Sequence, residues 1–260
     1  MSTHVLNGLT VEVDGGGTPV LCIHGLGGSS NTWTPLMAAF EGCQVIRPDL
    51  PGSARSALPD QPLSIDLYVT ALVQMLAALK TDAVHLVAHS LGTIVAQHFA
   101  VRHPDRVKSM ALFGPLVAPP EAARPNIVAR AALARTGVAA MQEIADAIVN
   151  GATSAETKTL QPAVLALVRE SLMRQPPEGY AQSCEALAEA QSAAIEGLRV
   201  PALLVTGDQD GVAPVVNVTL MHQRISGSQM TVFDGCGHWT PFEQPQACVQ
   251  ALQAFHAGLR

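Results

Sequence analysis

Apolar residues recur in two alternating patterns along most of the chain. Short apolar runs bounded by Gly, Pro or Asp predict buried strands, and stretches whose apolar positions recur every three to four residues predict helices between them. The predicted strands span 9–13, 19–23, 44–48, 84–88, 107–113, 200–206 and 230–233, and the predicted helices span 32–40, 64–79, 91–100, 215–225 and 245–259. This alternation predicts an α/β fold with a mostly parallel, doubly wound sheet.

The alternation stops between about 114 and 197. Helical patterns alone occur there, at 127–133, 138–148, 163–173 and 180–190, and prolines separate them. We expect a helical insertion between two strands of one sheet, with residues 1–114 and 198–260 forming the core domain and residues 115–197 covering the ends of its strands. A separate helical domain is the alternative interpretation.

A serine lies at the sharpest predicted turn of the chain. Ser90 follows the apolar run at 84–88 and precedes a helical pattern, and the small residues Ala88 and Gly92 flank it. A very tight turn strains the serine backbone and leaves no room for bulky neighbours, so small residues fit there. The pattern predicts an exposed hydroxyl at a helix N-terminus. The alternative is that Ser90 is only the N-cap of that helix.

Candidate partners for this serine follow two later strands. A serine hydroxyl is a weak nucleophile at neutral pH and needs an adjacent base that a carboxylate holds in one tautomer. His238 comes after the strand at 230–233, and both Asp208 and Asp210 come after the strand at 200–206. Each candidate therefore lies just beyond a predicted strand, and the residues alone leave two aspartates open as the acid.

These motifs make the chain resemble the α/β-hydrolase superfamily. Residues 88–92, Ala-His-Ser-Leu-Gly, match its Gly-x-Ser-x-Gly nucleophile elbow with Ala88 in place of the first glycine. The chain order Ser, Asp, His also matches the superfamily. The resemblance implies that Ser90 is the nucleophile, that His238 is the base and that 115–197 is an inserted lid. A serine at the elbow argues against dehalogenases and epoxide hydrolases, which use aspartate there.

The resemblance also suggests the acid and the oxyanion hole. The family pattern Gly-x-x-Asp with a following proline matches Asp210 better than Asp208. We expect Asp208 either to cap the loop or to be solvated. A His-Gly loop after an early strand supplies a backbone N–H in this family, so Leu26 N–H and Leu91 N–H are the expected oxyanion donors. His24 in that loop is then expected to be structural.

Residues 49–56 resemble the Asp-x-x-Gly-x-Gly-x-Ser loop of the same superfamily. Ser53 and Ala54 stand where His and Gly are commoner. Because alanine disfavours positive φ, we expect a negative φ at Ala54.

Within the superfamily, the chain looks most like the 3-oxoadipate enol-lactonases and related serine esterases. The likeness rests on chain length, on the loop at 24–27, on Arg-His-Pro-Asp-Arg-Val at 102–107 and on the end of the predicted lid at 178–186. It implies a hydrolase that cleaves a small carboxylic ester or lactone through an acyl-enzyme, without a cofactor. The alternatives are a C–C bond hydrolase or perhydrolase with the same triad, and a ligand receptor with slow turnover.

A lactone that carries a carboxylate would require a cation in the pocket. Most arginines on amphipathic helices face water, so the sequence singles out no ligand among the arginines of the predicted lid. The candidates are Arg124, Arg130, Arg135, Arg169 and Arg174.

Composition and charge argue against several other classes of function. With 48% apolar and 14% charged residues, the 260-residue chain is typical of a compact globular protein. Its formal net charge of −6 gives no electrostatic reason to expect nucleic acid or an anionic membrane as a partner. The N-terminus lacks a signal-peptide pattern and no apolar run reaches about eighteen residues, so we expect a soluble, cytoplasmic protein.

The residue types that bind metals and nucleotides are not arranged for either task. The five cysteines are scattered without a Cys-x-x-Cys pair, and we expect free thiols. The nine histidines form no His-x-x-x-His pair, so we expect no metal. The glycine-rich segment at 25–28 matches neither a dinucleotide fingerprint nor a Walker loop. No pattern indicates an oligomeric state.

Overall fold

The structure, a computed structural model, describes residues 1–259, and one eight-stranded sheet runs through this part of the chain. The strands are β1 Ser2–Leu6, β2 Leu9–Gly15, β3 Thr18–Ile23, β4 Cys43–Pro48, β5 Val84–His89, β6 Val107–Phe113, β7 Ala202–Gly207 and β8 Gln229–Phe233. Their order is β1-β2-β4-β3-β5-β6-β7-β8. Only the pairings of β2 with β1 and β4 are antiparallel. The predicted mostly parallel α/β sheet is therefore confirmed.

Helices cover both faces of this sheet. They are α1 Ile65–Ala78, α2 Leu91–Arg102, α3 Arg124–Ala134, α4 Val138–Ala152, α5 Ala155–Leu160, α6 Pro162–Met173, α7 Pro177–Glu189, α8 Val215–Arg224, α9 Thr240–Glu243 and α10 Pro245–Ala257. Successive side chains of a strand point to opposite faces. In β3, Leu21 and Ile23 belong to one buried cluster and Val20 and Cys22 to another. The sheet therefore separates two apolar cores.

Four elements differ from the sequence-based expectation. The chain before residue 9 forms β1, whose residues from Ser2 to Val5 are exposed. The predicted helix at 32–40 is a run of 3₁₀ turns, Ser30–Phe40, with Pro35 inside it. The short helices α5 and α9 were not predicted. An exposed edge strand has no alternation of apolar and polar residues to reveal it, and a six-residue helix is too short for a helical period.

The expected negative φ at Ala54 is wrong, because φ is 48° at this residue. The surrounding loop imposes this conformation through hydrogen bonds from Ala54 N to Gln175 Oε1 (3.0 Å) and from Ser56 N to Ser53 O (3.0 Å). Left-handed backbone costs an alanine about 1–2 kcal/mol. Tertiary contacts with a residue 121 positions away therefore override the local preference.

Helices α3 to α7 lie between β6 and β7 in the chain, so they form an insertion between two neighbouring strands of the sheet. The domain bounds 1–114, 198–260 and 115–197, and the action of the insertion as a lid, stay predictions. In the described part of the chain, no helix combines the length and the apolar character that a bilayer crossing requires.

Candidate active site

Ser90 lies in a strained turn between β5 and α2. Its backbone has φ 52° and ψ −123°, which non-glycine residues rarely adopt, and its N–H donates to Phe113 O at 3.0 Å. A Cβ at Gly92 would lie 2.5 Å from the carbonyl oxygens of Ile23 and His24. Glycine at 92 therefore lets the first turn of α2 lie against the end of β3, as the small-residue pattern predicts.

The Ser90 hydroxyl makes no capping hydrogen bond to α2, so the N-cap alternative does not account for this serine. Its Oγ instead lies 2.8 Å from His238 Nε2. On the other side of the imidazole ring, His238 Nδ1 lies 2.9 Å from Asp210 Oδ2 and 3.1 Å from Asp210 Oδ1. All three side chains are buried. The structure thus brings together the serine, the histidine and one of the two candidate aspartates.

The other aspartate lies outside this arrangement. Asp208 is exposed, and its Oδ1 accepts a hydrogen bond from Cys236 N at 3.1 Å. That contact links the loop after β7 to the loop after β8. The geometry therefore favours Asp210 as the partner of His238.

The environment of Asp210 determines the protonation of the whole arrangement. Burial alone would raise the pKa of Asp210, but the adjacent His238 and the amides of Ala213 and Val212 bring that pKa below its usual value. The ionised carboxylate only accepts hydrogen bonds, so His238 Nδ1–H must donate to it. In the neutral ring with its hydrogen on Nδ1, Nε2 has a lone pair that can accept a hydrogen bond from the Ser90 hydroxyl. This geometry suits removal of the serine proton.

A buried carboxylate that the sequence analysis missed holds the loop of His238. Glu243 is 2% exposed and lies in α9. It accepts hydrogen bonds from Gly237 N and Trp239 N, both at 3.0 Å, on either side of His238. A carboxylate within the apolar stretch after His238 was the only sequence signal for this role.

Glu243 also connects the histidine loop to the insertion. Its Oε2 accepts hydrogen bonds from Ser154 N at 2.8 Å and from Thr157 Oγ1 at 2.9 Å. In addition, His238 N donates to Ala152 O at 2.9 Å. The segment from the end of α4 into α5 is therefore hydrogen-bonded to the loop that carries the histidine.

Gly114, directly after β6, lies against His238 and was also missed. Its φ is 55°, and an added Cβ would lie 2.8 Å from His238 Cε1, 2.9 Å from His238 Nδ1 and 3.4 Å from Asp210 Oδ2. No other residue type leaves this space free. The histidine and aspartate therefore occupy positions that require a glycine at the end of β6.

Residues 25–28 form a tight turn next to Ser90, here called the 25–28 turn. Gly28 N donates to Gly25 O at 3.0 Å, and Gly27 has φ 76°, as the third residue of a type II turn requires. A Cβ at Gly25 would lie 2.7 Å from Ser90 Cβ. Glycines are thus needed both for the shape of the turn and for its approach to the serine.

The two amides expected to form an oxyanion hole directly follow Gly25 and Ser90 in the chain. Leu26 N–H lies in the 25–28 turn, and Leu91 N–H begins α2. Within residues 1–259, neither amide donates to another group of the chain. Free N–H groups beside a nucleophilic oxygen are available to a developing negative charge.

His24 holds the 25–28 turn, as expected for a structural residue. Leu50 N donates to His24 Nε2 at 2.8 Å, so Nδ1 carries the hydrogen and donates to Gly25 O at 2.8 Å. Burial lowers the pKa of His24, which keeps the ring neutral. His24 therefore has no free ring nitrogen for catalysis.

Ser90 and His238 line a cavity of about 470 Å³ between the sheet and the insertion. Its wall is mostly apolar, with residues from α3 and α4 opposite the serine side. Leu26, His89 and Trp239 also line it. His89 Nε2–H donates to His238 O at 2.8 Å, and burial lowers the pKa of His89 to about 3. This histidine is therefore neutral and adds no charge to the wall.

Of the five arginines considered for the pocket, Arg130 lines the cavity. The other four do not line it, and each lies within ion-pair distance of a carboxylate: Arg124 of Glu121, Arg135 of Glu178 and Glu185, Arg169 of Asp146, and Arg174 of Glu170. In residues 1–259, Arg130 has no carboxylate within 4.0 Å. It is half-buried, whereas Glu143, the carboxylate of the cavity wall, is exposed. The cavity wall therefore contains one half-buried arginine without an ion-pair partner among the described residues and one exposed glutamate.

Comparison with known proteins gives consistent matches. A family model described as the alpha/beta hydrolase fold matches residues 18–245. A 2-hydroxymuconate semialdehyde hydrolase from a Pseudomonas species is 29% identical, over 88% of this chain and 83% of that protein. An enol-lactonase from Burkholderia xenovorans is 26% identical, with a TM-score of 0.90 over 98% of this chain and 100% of its own. A malate-bound esterase from Thermogutta terrifontis is 25% identical, with a TM-score of 0.91 over 99% of this chain and 98% of its own.

Proposed function

Because the chain belongs to the α/β-hydrolase fold family, we propose that it cleaves a small carboxylic ester or lactone through an acyl-enzyme on Ser90. The proposal rests on the position of His238, 2.8 Å from Ser90 Oγ and 2.9 Å from Asp210 Oδ2 at the wall of one cavity. A serine with a base and an oriented carboxylate is the arrangement that acyl transfer requires.

In the proposed reaction, Ser90 Oγ attacks the carbonyl carbon while its proton moves to His238 Nε2. Asp210 stabilises the resulting imidazolium, and Leu26 N–H and Leu91 N–H donate to the tetrahedral oxyanion. When the intermediate collapses, His238 returns the proton to the departing alkoxide oxygen and the acyl group stays on Ser90. A water molecule, deprotonated by His238, then releases the acid and restores the serine.

Arg130 supports a substrate that carries a carboxylate as well as the scissile ester. It is half-buried in the cavity wall and has no carboxylate partner among the described residues. A guanidinium binds a carboxylate through charge-assisted hydrogen bonds. The esterase from Thermogutta terrifontis is described as malate-bound, and malate is a dicarboxylate. We therefore propose a short acyl chain that ends in a carboxylate, as in 3-oxoadipate enol-lactone.

The first experiment compares wild-type protein with Ser90→Ala on 3-oxoadipate enol-lactone and on p-nitrophenyl acetate and butyrate. We expect a burst of p-nitrophenol equal to the enzyme concentration, then steady turnover, and loss of both in the variant. Absence of turnover on every substrate would refute the hydrolase proposal. Tight ligand binding without turnover would instead indicate a receptor on this scaffold.

The second experiment tests Arg130 with two esters of equal chain length. The acyl group of p-nitrophenyl hemisuccinate ends in a carboxylate, and that of p-nitrophenyl butyrate ends in a methyl group. Arg130→Gln should lower kcat/KM for the hemisuccinate about tenfold and change that for the butyrate by less than about twofold, because one charge-assisted contact is lost. Arg174→Gln is the matched control, since Arg174 is an exposed arginine of the insertion outside the cavity wall. An equal loss for both esters would contradict the carboxylate proposal.

Hydrolysis of a C–C bond is the second candidate function. The specific observation in its favour is the 29% identity to a 2-hydroxymuconate semialdehyde hydrolase. The same Ser90 and His238 would serve a ketone carbonyl, with carbon rather than oxygen as the leaving atom. Turnover of 2-hydroxymuconate semialdehyde with a kcat/KM far above that of the enol-lactone would favour this candidate.

A further inference from the structure

The insertion contacts the 25–28 turn through one buried amide side chain. Gln175 follows α6 and is 4% exposed. Its Nε2 donates to Gly27 O at 3.2 Å, to Gly28 O at 3.1 Å and to Ser171 O at 2.8 Å. Its Oε1 accepts from Ala54 N at 3.0 Å. The side chain thus links the insertion to two separate loops of the core.

A second side chain of α6 reinforces this contact. Ser171 is 7% exposed, and its Oγ donates to Gly27 O at 2.7 Å. The side chain of Leu172 packs so closely on Gly27 that a Cβ at this position would overlap it. The carbonyl of Gly27 therefore accepts two hydrogen bonds from the insertion, and the turn has no space to move toward α6.

Together with the core, these residues hold the carbonyl oxygens of the three glycines of the turn. Gly25 O accepts from His24 Nδ1 and Gly28 N, at 2.8 Å and 3.0 Å, while Gln175 and Ser171 hold those of Gly27 and Gly28. Three glycines in four residues make the free segment highly flexible. Gln175 and Ser171 hold Gly27 O, which shares its peptide plane with Gly28 N–H, and Gly28 N–H donates to Gly25 O. Gly25 O in turn shares its peptide plane with Leu26 N–H, so these bonds together fix the direction of that N–H.

We propose that Gln175, assisted by Ser171, is a positioning residue that orients Leu26 N–H toward the oxyanion from the insertion. An oxyanion donor is effective when it is aligned before charge develops, so that no reorganisation is needed in the transition state. Gln175 does not touch the substrate; it acts through the turn. This inference rests on the proposed function, because it assigns a role to the oxyanion donor of that reaction.

The test replaces the amide by an apolar chain of similar length, Gln175→Met, and removes the hydroxyl with Ser171→Ala. With p-nitrophenyl butyrate, kcat per active site should fall about tenfold for Gln175→Met and about threefold for Ser171→Ala, less than the loss of an entire donor. KM should change by less than about twofold, because ground-state binding to the apolar wall is retained. Affinity for an alkyl boronic acid, whose adduct on Ser90 places an anionic oxygen at the same donors, should fall by the same factors as kcat.

The size of the p-nitrophenol burst gives the concentration of active enzyme. Because kcat is calculated per active site, a variant that is partly unfolded is not mistaken for a variant with a lower kcat. Gln182→Met is the matched control. Gln182 also bridges a helix of the insertion to a core amide, since its Oε1 accepts from Leu63 N at 3.3 Å, but it does not contact the 25–28 turn. We expect it to leave kcat within about twofold of wild type.

The outcomes separate the two proposals. If wild-type protein shows neither burst nor turnover, the proposed function fails. If wild type is active but Gln175→Met and Gln182→Met have equal kcat per titrated site and equal boronate affinity, the positioning role is refuted. If Gln175→Met yields no folded protein, Ser171→Ala decides, since an unchanged kcat in that variant would contradict the role of the insertion.

Discussion

A single added methyl group at Gly114 should impair the proposed reaction strongly. In Gly114→Ala the new Cβ would lie 2.8 Å from His238 Cε1 and 2.9 Å from His238 Nδ1. Optimal contacts between carbon atoms are about 3.5–4.0 Å, so the imidazole must move by roughly 0.7 Å or more. The hydrogen bonds to Ser90 and Asp210 are already 2.8 Å and 2.9 Å long. A shift of that size away from the methyl group lengthens or misaligns at least one of them beyond the normal range, which ends at about 3.2 Å.

The effect on rate should be separable from the effect on stability. Misplacement of a reacting group by about 1 Å can cost about 100-fold in rate, so we expect kcat per active site to fall by about that factor. The backbone contribution is small: an alanine with φ of 55° destabilises the fold by about 1–2 kcal/mol. The rate measurement therefore reports mainly on the displaced histidine.

Gly42→Ala is the matched control for this prediction. Gly42 has φ 76°, and an added Cβ would have no atom within 4 Å, so the variant shares the backbone cost without the overlap. In urea, Gly42→Ala should lose about 1–2 kcal/mol of the free energy of unfolding, and Gly114→Ala should lose about 1–3 kcal/mol more because of the overlap. Steady-state kcat, divided by the concentration from burst titration, is the measurement. If Gly114→Ala retains kcat within about threefold of Gly42→Ala, the proposed need for glycine beside His238 is refuted.

Three further changes test separate parts of the site. Asp210→Asn should lower kcat by about 10³–10⁴-fold, because no carboxylate would then hold His238 in the tautomer with its hydrogen on Nδ1. Asp208→Asn should change kcat by less than about threefold, and the reverse order would overturn the assignment of the acid. In Glu243→Gln, the new side-chain NH₂ faces one of the buried backbone N–H groups whose hydrogen bonds the carboxylate now accepts. The free energy of unfolding, measured in urea, should therefore fall by about 2 kcal/mol, and a loss below about 0.5 kcal/mol would contradict the role of Glu243 in holding the histidine loop. The pKa of His89 falls from 6.5 to about 3 on burial, so its contribution to stability is complete above about pH 6.5 and is lost as the pH falls toward 3. Between pH 7.5 and pH 5, the free energy of unfolding of the wild type should therefore fall by about 2 kcal/mol more than that of His89→Asn. Urea denaturation at both pH values measures this difference, and equal losses in the two proteins would refute the role of His89.

The central strands were predictable because each is buried on both faces. A parallel strand such as β5 or β7 is a nearly continuous apolar run, and the turn residues around it mark its ends. The edge strand β1 has no such run, since its side chains from Ser2 to Val5 are exposed. Burial therefore determines which strands a sequence reveals.

Local motifs revealed the proposed triad, whereas long-range contacts concealed its support. Ser90 and His238 each lie in a short pattern of small or glycine residues that a reader can recognise. Glu243, Gln175 and Gly114 have no such pattern, because their partners are distant in the chain. Gln175, for example, contacts Gly27, 148 positions earlier. Such roles depend on the packing of the insertion, which apolar periodicity does not specify.

The contacts of the insertion divide it into two parts with different expected effects. The segment from the end of α4 into α5 is bound to the histidine loop through Glu243, and the end of α6 is bound to the 25–28 turn through Gln175. By contrast, α3 and α4 supply most of the cavity wall, and Asn126 and Glu143 in that wall are exposed. We expect a substrate to enter beside Asn126 and Glu143, which take part in neither set of hydrogen bonds. Substitutions on the facing sides of α3 and α4 should therefore change which esters are accepted, whereas substitutions at the two bound segments should lower kcat for every substrate alike.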